Sequence, residues 1–295
     1  MAKLLDGASL SKKLRDQVAA GVLEMQSKHN VTPGLAAVLV GDDPASAIYV
    51  RNKRRACDEA GMVSETFNLP ASSSQEELLA LMDNFNGDAR YHGILMQLPL
   101  PDHIDEDRVL MAVSPQKDVD CIHPTNLGRL AQGNSPFVPA TPGGIQQILL
   151  HNNYDPSGKH VVICGRSNIV GKPLAILLMQ KKAGANATVT MCHTATRNLP
   201  DLTRQADILV AATGRPGSIT ADMVKEGSVV IDVGINRLPD DTRKSGYRLV
   251  GDVDFEPVSE VAEAITPVPG GVGPMTITML LVNTLTAARI SIHGE

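Results

Sequence analysis

Lys159-His160-Val161-Val162-Ile163-Cys164-Gly165-Arg166-Ser167-Asn168-Ile169-Val170-Gly171-Lys172-Pro173 is the stretch on which the fold turns. Its first six residues make a largely apolar run of strand length, and glycines then lead the chain into a helical pattern over residues 173–182. A strand that passes through glycines into a helix amino terminus aims backbone N–H groups and the positive helix end at an anion, commonly a phosphate. The spacing is not the usual Gly-x-Gly-x-x-Gly, so a plain strand-to-helix turn satisfies the same residues. Outward from it, residues 188–191, 208–212 and 229–233 are further apolar runs, the last two leading into turns that contain Gly214 and Gly234. Glycine at the carboxyl end of a parallel strand permits close approach of a ligand, although turn geometry alone also selects it.

The run after the glycine loop bears on which dinucleotide would fit. NAD-binding folds normally carry an acid at the end of that strand to hold a ribose hydroxyl. Here Cys192-His193-Thr194-Ala195-Thr196-Arg197 supplies hydroxyls and a cation instead, and Arg166 stands in the first loop. Those groups suit a ribose phosphate, so NADP is expected rather than NAD. A solvated loop is the plainer reading of the same residues.

Toward the amino terminus the alternation continues, with apolar runs at 35–40 and 93–96 and helical patterns at 10–25, 48–60 and 76–85. Strands alternating with helices predict α/β architecture with parallel sheets and crossover helices. The length of 295 residues is about twice the commonest domain size, which favours two domains. A Pro/Gly/Asn-rich passage at 123–144 breaks the rhythm and is the expected boundary.

Chemistry-bearing residues gather at a few places in this first half. Asp43 and Pro44 can open a helix that Gly61 ends, and its spacing puts Tyr49, Lys53, Ala56, Cys57 and Ala60 on one face. Lys53 is then the charged residue on an apolar side, where desolvation would lower its pKa and let it carry protons near neutrality; a lysine snorkelling from the edge fits equally. The run 93–96 leads into Gln97, placed where ligands meet a parallel sheet, or simply steadying the turn into Leu98-Pro99. Lys117-Asp118-Val119-Asp120 adds two carboxylates, suited to substrate or to capping. Thr266-Pro267-Val268-Pro269-Gly270-Gly271-Val272-Gly273-Pro274 makes a rigid loop able to lie against a flat ligand or to serve as a hinge.

Composition narrows the remaining classes. The net charge of −5 without a long basic stretch leaves no footprint for nucleic acid or an anionic membrane. Cys57, Cys121, Cys164 and Cys192 are too far apart for a short zinc motif or a disulfide framework, so no metal is expected and a reducing compartment fits. The start, MAKLLDGASLSKKLR, lacks the apolar core of a signal peptide, and a cytoplasmic location is expected. No apolar run looks close to the roughly 20 residues that cross a bilayer, since TITMLLVNTL is cut by Thr and Asn.

Taken together, the segments YVRNKRRACDEAG, GILMQLPLP, KDVDCIHPTNLGRL, PATPGG, GRSNIVGKP, DVGINR and PGGVGPMTITMLLVNTL resemble, in order and over nearly the whole chain, the bifunctional methylenetetrahydrofolate dehydrogenase and methenyltetrahydrofolate cyclohydrolase family. The resemblance implies an α/β fold of two domains with an active-site cleft between them. One is an amino-terminal substrate and catalytic domain over 1–140, completed by a helix at 276–295; the other is a Rossmann-like NADP-binding domain over 141–275. It implies Tyr49, Lys53, Gln97 and Asp120 for catalysis, and Gly165, Arg166, Ser167, Thr194 and Ile235 for NADP. Met96, Leu98, Pro269, Gly270, Gly271, Val272 and Gly273 join Tyr49, Lys53, Gln97 and Asp120 in binding a folate. It further implies a homodimer that feeds one-carbon units to purine, methionine and histidine biosynthesis. The family usually has Ser where this chain has Thr194, which keeps the hydroxyl.

The rival expectation is another two-domain NADP-dependent dehydrogenase, acting on a small hydroxy or amino acid without a hydrolase step. A short-chain dehydrogenase also uses a Tyr and a Lys four apart, but that pair should follow the cofactor loop, and Tyr49 precedes Gly165. A cofactor-sensing scaffold with a dead site would have no need of Tyr49, Lys53, Gln97 and Asp120 together.

Overall fold

A computed structural model describes residues 1–243 and 246–293. The chain begins with β1 (Lys3–Leu4), α1 (Gly7–His29), β2 (Gly34–Val40), α2 (Pro44–Glu59), β3 (Val63–Leu69), α3 (Gln75–Gly87) and β4 (Gly93–Met96). There follow α4 (Glu106–Ala112), α5 (Pro124–Gln132), α6 (Ala140–His151), β5 (His160–Cys164), α7 (Gly171–Leu178), β6 (Thr188–Cys192), α8 (Leu199–Thr203) and β7 (Ile208–Ala211). The last elements are β8 (Val229–Asp232), β9 (Asn236–Pro239), β10 (Tyr247–Val250), α9 (Phe255–Val261), β11 (Ala264–Ile265) and α10 (Val272–His293).

These elements form two compact units. The first holds Lys12–Ala140 and the chain from Ile277 onward. Its sheet is parallel, in the order β3-β2-β4. Successive side chains of a strand point to opposite faces, and in β2 both faces are covered. Leu35, Ala37 and Leu39 join a core with Val18, Val22, Val50, Cys57 and Leu281, while Ala36, Val38 and Val40 join another with Leu78, Met82 and Phe85. That double burial is why β2 reads as an unbroken apolar run. Strand β3, VSETFNL, escaped the sequence reading because it is an edge strand with partly exposed polar residues.

Helix α10 corrects the expectation about membrane-length segments: residues 272–292 are long and apolar enough to cross a bilayer by length and composition. Core demand explains this composition, since Leu280, Leu281, Thr284, Leu285 and Ala288 are buried within the first unit. Its buried Asn283 is a strut. Nδ2 donates to Val119 O at 2.7 Å and to Val138 O at 2.8 Å.

The second unit, Met1–Ser11 with Thr141–Thr276, holds a six-stranded sheet in the order β1-β11-β8-β7-β5-β6, parallel throughout. Strand β5 lies between β6 and β7, so the winding direction reverses there, and the crevice at the carboxyl end of such a reversal is where ligands bind. The amino terminus departs from the expected 1–140 division, because Lys3 and Leu4 pair with Ala264 and Ile265 and so join this second sheet. Two residues carry too little pattern to reveal that pairing. The passage at 123–144 is also more regular than expected. His123 caps α5, with Nδ1 accepting from Thr125 N at 3.0 Å, and α6 starts at Ala140, where the units divide.

Candidate functional site

In the first unit the site is built from α2, the end of β4 and the segment after α4. Asp43 starts α2 by accepting Ser46 N at 2.7 Å, satisfying one of the first-turn amides. The buried face of the helix is Ser46, Val50, Ala56, Cys57 and Ala60. Lys53, three residues after Val50 and four before Cys57, is half-buried on this face, and Tyr49, placed by spacing on the apolar face, is 38% exposed instead. Burial pushes the Cys57 thiol up to about 12, which leaves it a packing residue.

Gln97 directly follows β4 and keeps its register, donating its N–H to Val38 O at 2.9 Å. Its side-chain Nε2 donates to Leu98 O at 2.8 Å, which turns Oε1 toward α2, where it accepts from Lys53 Nζ at 3.2 Å. The lysine nitrogen is thereby tied to a sheet end. Met96, expected beside the substrate, is 4% exposed and packed in the core with Val38 and Met82. Its side chain is spent on the fold. Leu98 is partly buried and follows Gln97 at the same sheet end.

The two carboxylates of residues 117–120 divide sharply. Ile94 N donates to Lys117 O at 2.8 Å, so this segment runs beside β4. Asp118 is consumed by structure, accepting Ile122 N at 3.2 Å, His123 N at 2.9 Å and Asn126 Nδ2 at 2.8 Å. Asp120 accepts no hydrogen bond among the described residues, and the Asn283 strut holds the preceding carbonyl. Burial raises the Asp120 carboxyl above the usual carboxylate range, the Lys53 charge opposes that rise and Asp118 adds to it. Lys53, Gln97 and Asp120 therefore converge, with Tyr49 one helical turn from Lys53 on α2.

The second unit carries a cavity of about 450 Å³ at the carboxyl ends of β5, β6 and β7, the winding reversal. Gly165, Arg166, Ser167 and Thr194 all line it. Gly165 has φ +142°, and a Cβ there would stand 2.1 Å from Ala212 O; one on Gly171 would stand 2.1 Å from Gly165 O. Only glycine allows that turn to close. Ser167 Oγ accepts Val170 N at 3.1 Å, fixing the loop before α7. His193 and Thr196, from the stretch read as suiting a ribose phosphate, also line the cavity, whereas Arg197 of that stretch is not among its lining residues; missed from the sequence were Thr213 and Arg215. Arg215 comes from the turn after β7, a region read only as a glycine turn.

Among its lining residues are two arginines and no carboxylate. A dinucleotide with a ribose phosphate fits this charge and this glycine-built cradle, whereas the acid that selects an unphosphorylated ribose is missing.

A second, smaller cavity of about 110 Å³ brings Gly234 and Ile235 together with Pro269, Gly270, Gly271, Val272 and Gly273. Gly270 has φ +107°, and its carbonyl accepts Ala8 N at 2.9 Å, so the start of α1 pins the loop. Ile235 is 44% exposed and Pro269 is exposed. Val272, in contrast, is 3% exposed and contributes its side chain to packing. Among the described residues no cluster of His, Cys, Asp and Glu could hold a metal ion.

Residues 5–120 match the family model "Tetrahydrofolate dehydrogenase/cyclohydrolase, catalytic domain", and residues 139–292 match the corresponding NAD(P)-binding domain. A "Bifunctional protein FolD" of Prosthecochloris aestuarii is 55% identical over 284 residues, covering 96% of each chain. Among solved structures, the FolD methylenetetrahydrofolate dehydrogenase/cyclohydrolase of Campylobacter jejuni is 47% identical, with TM-score 0.92 over 99% of this chain and 100% of that one. The Trypanosoma brucei methylenetetrahydrofolate dehydrogenase-cyclohydrolase, solved with NADP cofactor and an inhibitor, is 38% identical, with TM-score 0.93 over 99% and 98% of the two chains.

Proposed function

The chain belongs to the tetrahydrofolate dehydrogenase/cyclohydrolase family, and from that premise we propose how its residues divide the two reactions. The protein oxidises 5,10-methylenetetrahydrofolate to the 5,10-methenyl form with NADP, then hydrolyses that product to 10-formyltetrahydrofolate. When bound, NADP supplies the acceptor for the hydride leaving the methylene carbon. Gly165, Arg166, Ser167 and Thr194 would hold its phosphates and ribose, and Ile235 with the loop from Pro269 to Gly273 would take its flat ring and help bind the folate.

The first step leaves a cation that the two flanking folate nitrogens stabilise, so the protein need only position the carbon. Asp120 holds the pterin by accepting hydrogen bonds from its amino groups, which is the use for a carboxylate with no partner of its own among the described residues. Tyr49 packs beside the pterin. In the second step water adds to the methenyl carbon, the Lys53 amine takes the proton that the water loses and returns one to the ring nitrogen as its bond to carbon breaks. Water's oxygen remains on the carbon as the formyl oxygen, and one proton is released overall. Gln97 aims Lys53, and the 3.2 Å bond between them is the observation that carries this assignment. The test follows reduced cofactor and the methenyl absorbance together in the parent chain and in Lys53→Met; unchanged hydrolysis in the variant refutes the role of Lys53.

The homodimer, and the supply of purine, methionine and histidine biosynthesis, are inferred from family membership. A cytoplasmic location is supported by four cysteines that are all free and buried. Independence from nucleic acid and membranes is supported by the net charge of −5.

A further inference from the structure

Two aspartates that the reaction does not use lie buried in the second unit, at the point where several of its turns meet. Asp252 Oδ2 accepts Thr213 N at 2.7 Å and Gly214 N at 2.9 Å, while its Oδ1 accepts Asn236 Nδ2 at 2.9 Å. Asp232, the last residue of β8, accepts Gly234 N and Asp252 N through Oδ1, each at 2.9 Å, and Val253 N through Oδ2 at 3.0 Å. Room for both carboxylates exists only because glycine faces them. A Cβ on Gly234 would stand 2.2 Å from Asp252 Oδ1, and one on Gly251 would stand 1.8 Å from Asp232 Oδ2.

What these carboxylates fix is the few residues beyond the strand ends. Strands β7 and β8 are already held by their ladder. The turn after β7 presents Thr213 and Arg215 to the 450 Å³ cavity, and the turn after β8 presents Gly234 and Ile235 to the 110 Å³ cavity. The first turn is closed further onto Asp252, since Arg215 N donates to Thr213 Oγ1 at 3.2 Å and Ser218 Oγ donates to Asp252 O at 3.3 Å. An ionised carboxylate is acceptor-only, with room for several donors, which suits it to gather amides from separate turns.

We propose that Asp252, seated on Asp232, is a positioning residue for NADP: it sets the turns that carry Arg215 and Ile235 at the spacing the dinucleotide needs, without touching the cofactor. This rests on the NADP reading of the two cavities.

The test measures NADPH affinity by fluorescence titration, with melting temperature and both activities, in the parent chain and in Asp252→Ala, Asp252→Asn and Gly214→Val. Asp252→Ala should weaken NADPH binding about tenfold and raise the KM for NADP in step, with kcat nearly unchanged and cofactor-free hydrolysis retained. Asp252→Asn keeps an acceptor toward the turn and, with Asn236 turned over, a donor toward its amide oxygen, so it should recover most of the affinity. Gly214 is exposed at φ +68° with open space around it, so Gly214→Val strains the turn and leaves the buried pair intact. It should weaken NADPH about fivefold, and it decides the matter if Asp252→Ala does not fold. Parental NADPH affinity in Gly214→Val and in a folded Asp252→Ala overturns the positioning role. So does equal loss in the Asn and Ala variants that merely follows their melting temperatures. A parent chain that does not bind NADPH overturns the cofactor reading itself, which separates the two failures.

Discussion

The Lys53 amine donates to Gln97 Oε1 across 3.2 Å, joining α2 to the residue directly beyond β4. Gln97 is itself anchored to β2 and to Leu98 O, so the lysine is aimed by the sheet. Replacing Lys53 by Met keeps most of the side-chain volume and removes the proton carrier. Hydrolysis of the methenyl compound should fall by about 10²–10⁴-fold, while NADPH titrates as in the parent. Stopped-flow decay of the methenyl absorbance reads the first quantity and cofactor fluorescence the second.

The same lysine bears on Asp120, whose carboxyl is raised chiefly by burial and held down by the Lys53 charge. In Lys53→Met that opposition is lost and the carboxyl rises further. A protonated Asp120 offers one acceptor fewer to the pterin, so as pH falls the variant should begin to lose folate affinity at a higher pH than the parent does. Coincident pH profiles in equilibrium binding of a folate substrate analogue would remove Asp120 from the site.

Arg166 lines a cavity whose lining holds no carboxylate. Losing one charge-assisted contact to the ribose phosphate should raise the KM for NADP about tenfold or more in Arg166→Ala and leave the KM for NAD nearly unchanged. Equal effects on both cofactors would place the guanidinium elsewhere on the dinucleotide.

Gly171 begins α7, where an added Cβ would meet Gly165 O at 2.1 Å and Arg166 Cα at 3.0 Å. The neighbours are backbone, so Gly171→Ala must displace the cofactor loop. Urea unfolding should show a loss of about 1–3 kcal/mol, with weaker NADPH binding. Wild-type values for both would mean that the loop can shift freely.

Asp232 has its carboxyl pushed up to about 6 by burial, against hydrogen bonds from Asp252, Val253 and Gly234 amides, with the Asp252 charge adding to the rise. Its folded pKa lies above the unfolded one, so its contribution to stability is complete below about 3.8 and is lost as pH rises through about 6. Asp232→Asn does not titrate. The stability of the variant relative to the parent should therefore grow between those pH values by about 2–3 kcal/mol, then level off. Chemical denaturation at several pH values measures this difference, and a flat difference contradicts it.

Much of this protein is written locally. The double-sided burial of β2 and β5 makes them apolar runs, and Asp43 before Pro44 or Gly165 and Gly171 around a loop mark helix starts that any reader of the chain can find. Lys53 and Gln97 could be singled out because each is a polar residue on the apolar face or at the end of an apolar element, whereas Asp120 is picked out only through the family resemblance. What the sequence could not rank was Asp118 against Asp120, since both are acids two positions apart. Only the folded chain brings Ile122, His123 and Asn126 onto the one and the Lys53 charge toward the other.

The sequence by itself determined the alternation of strands and helices, the glycine cradle and the absence of an acid after β6, because these depend on neighbours within a few residues. Tertiary structure alone decided that Lys3-Leu4 extends a sheet more than 250 positions downstream, that Met96 and Val272 serve cores, and that Asp232 and Asp252 gather donors from three segments. Such choices follow from which backbone donors and apolar faces still lack partners once the chain has closed, and residues distant in sequence supply them.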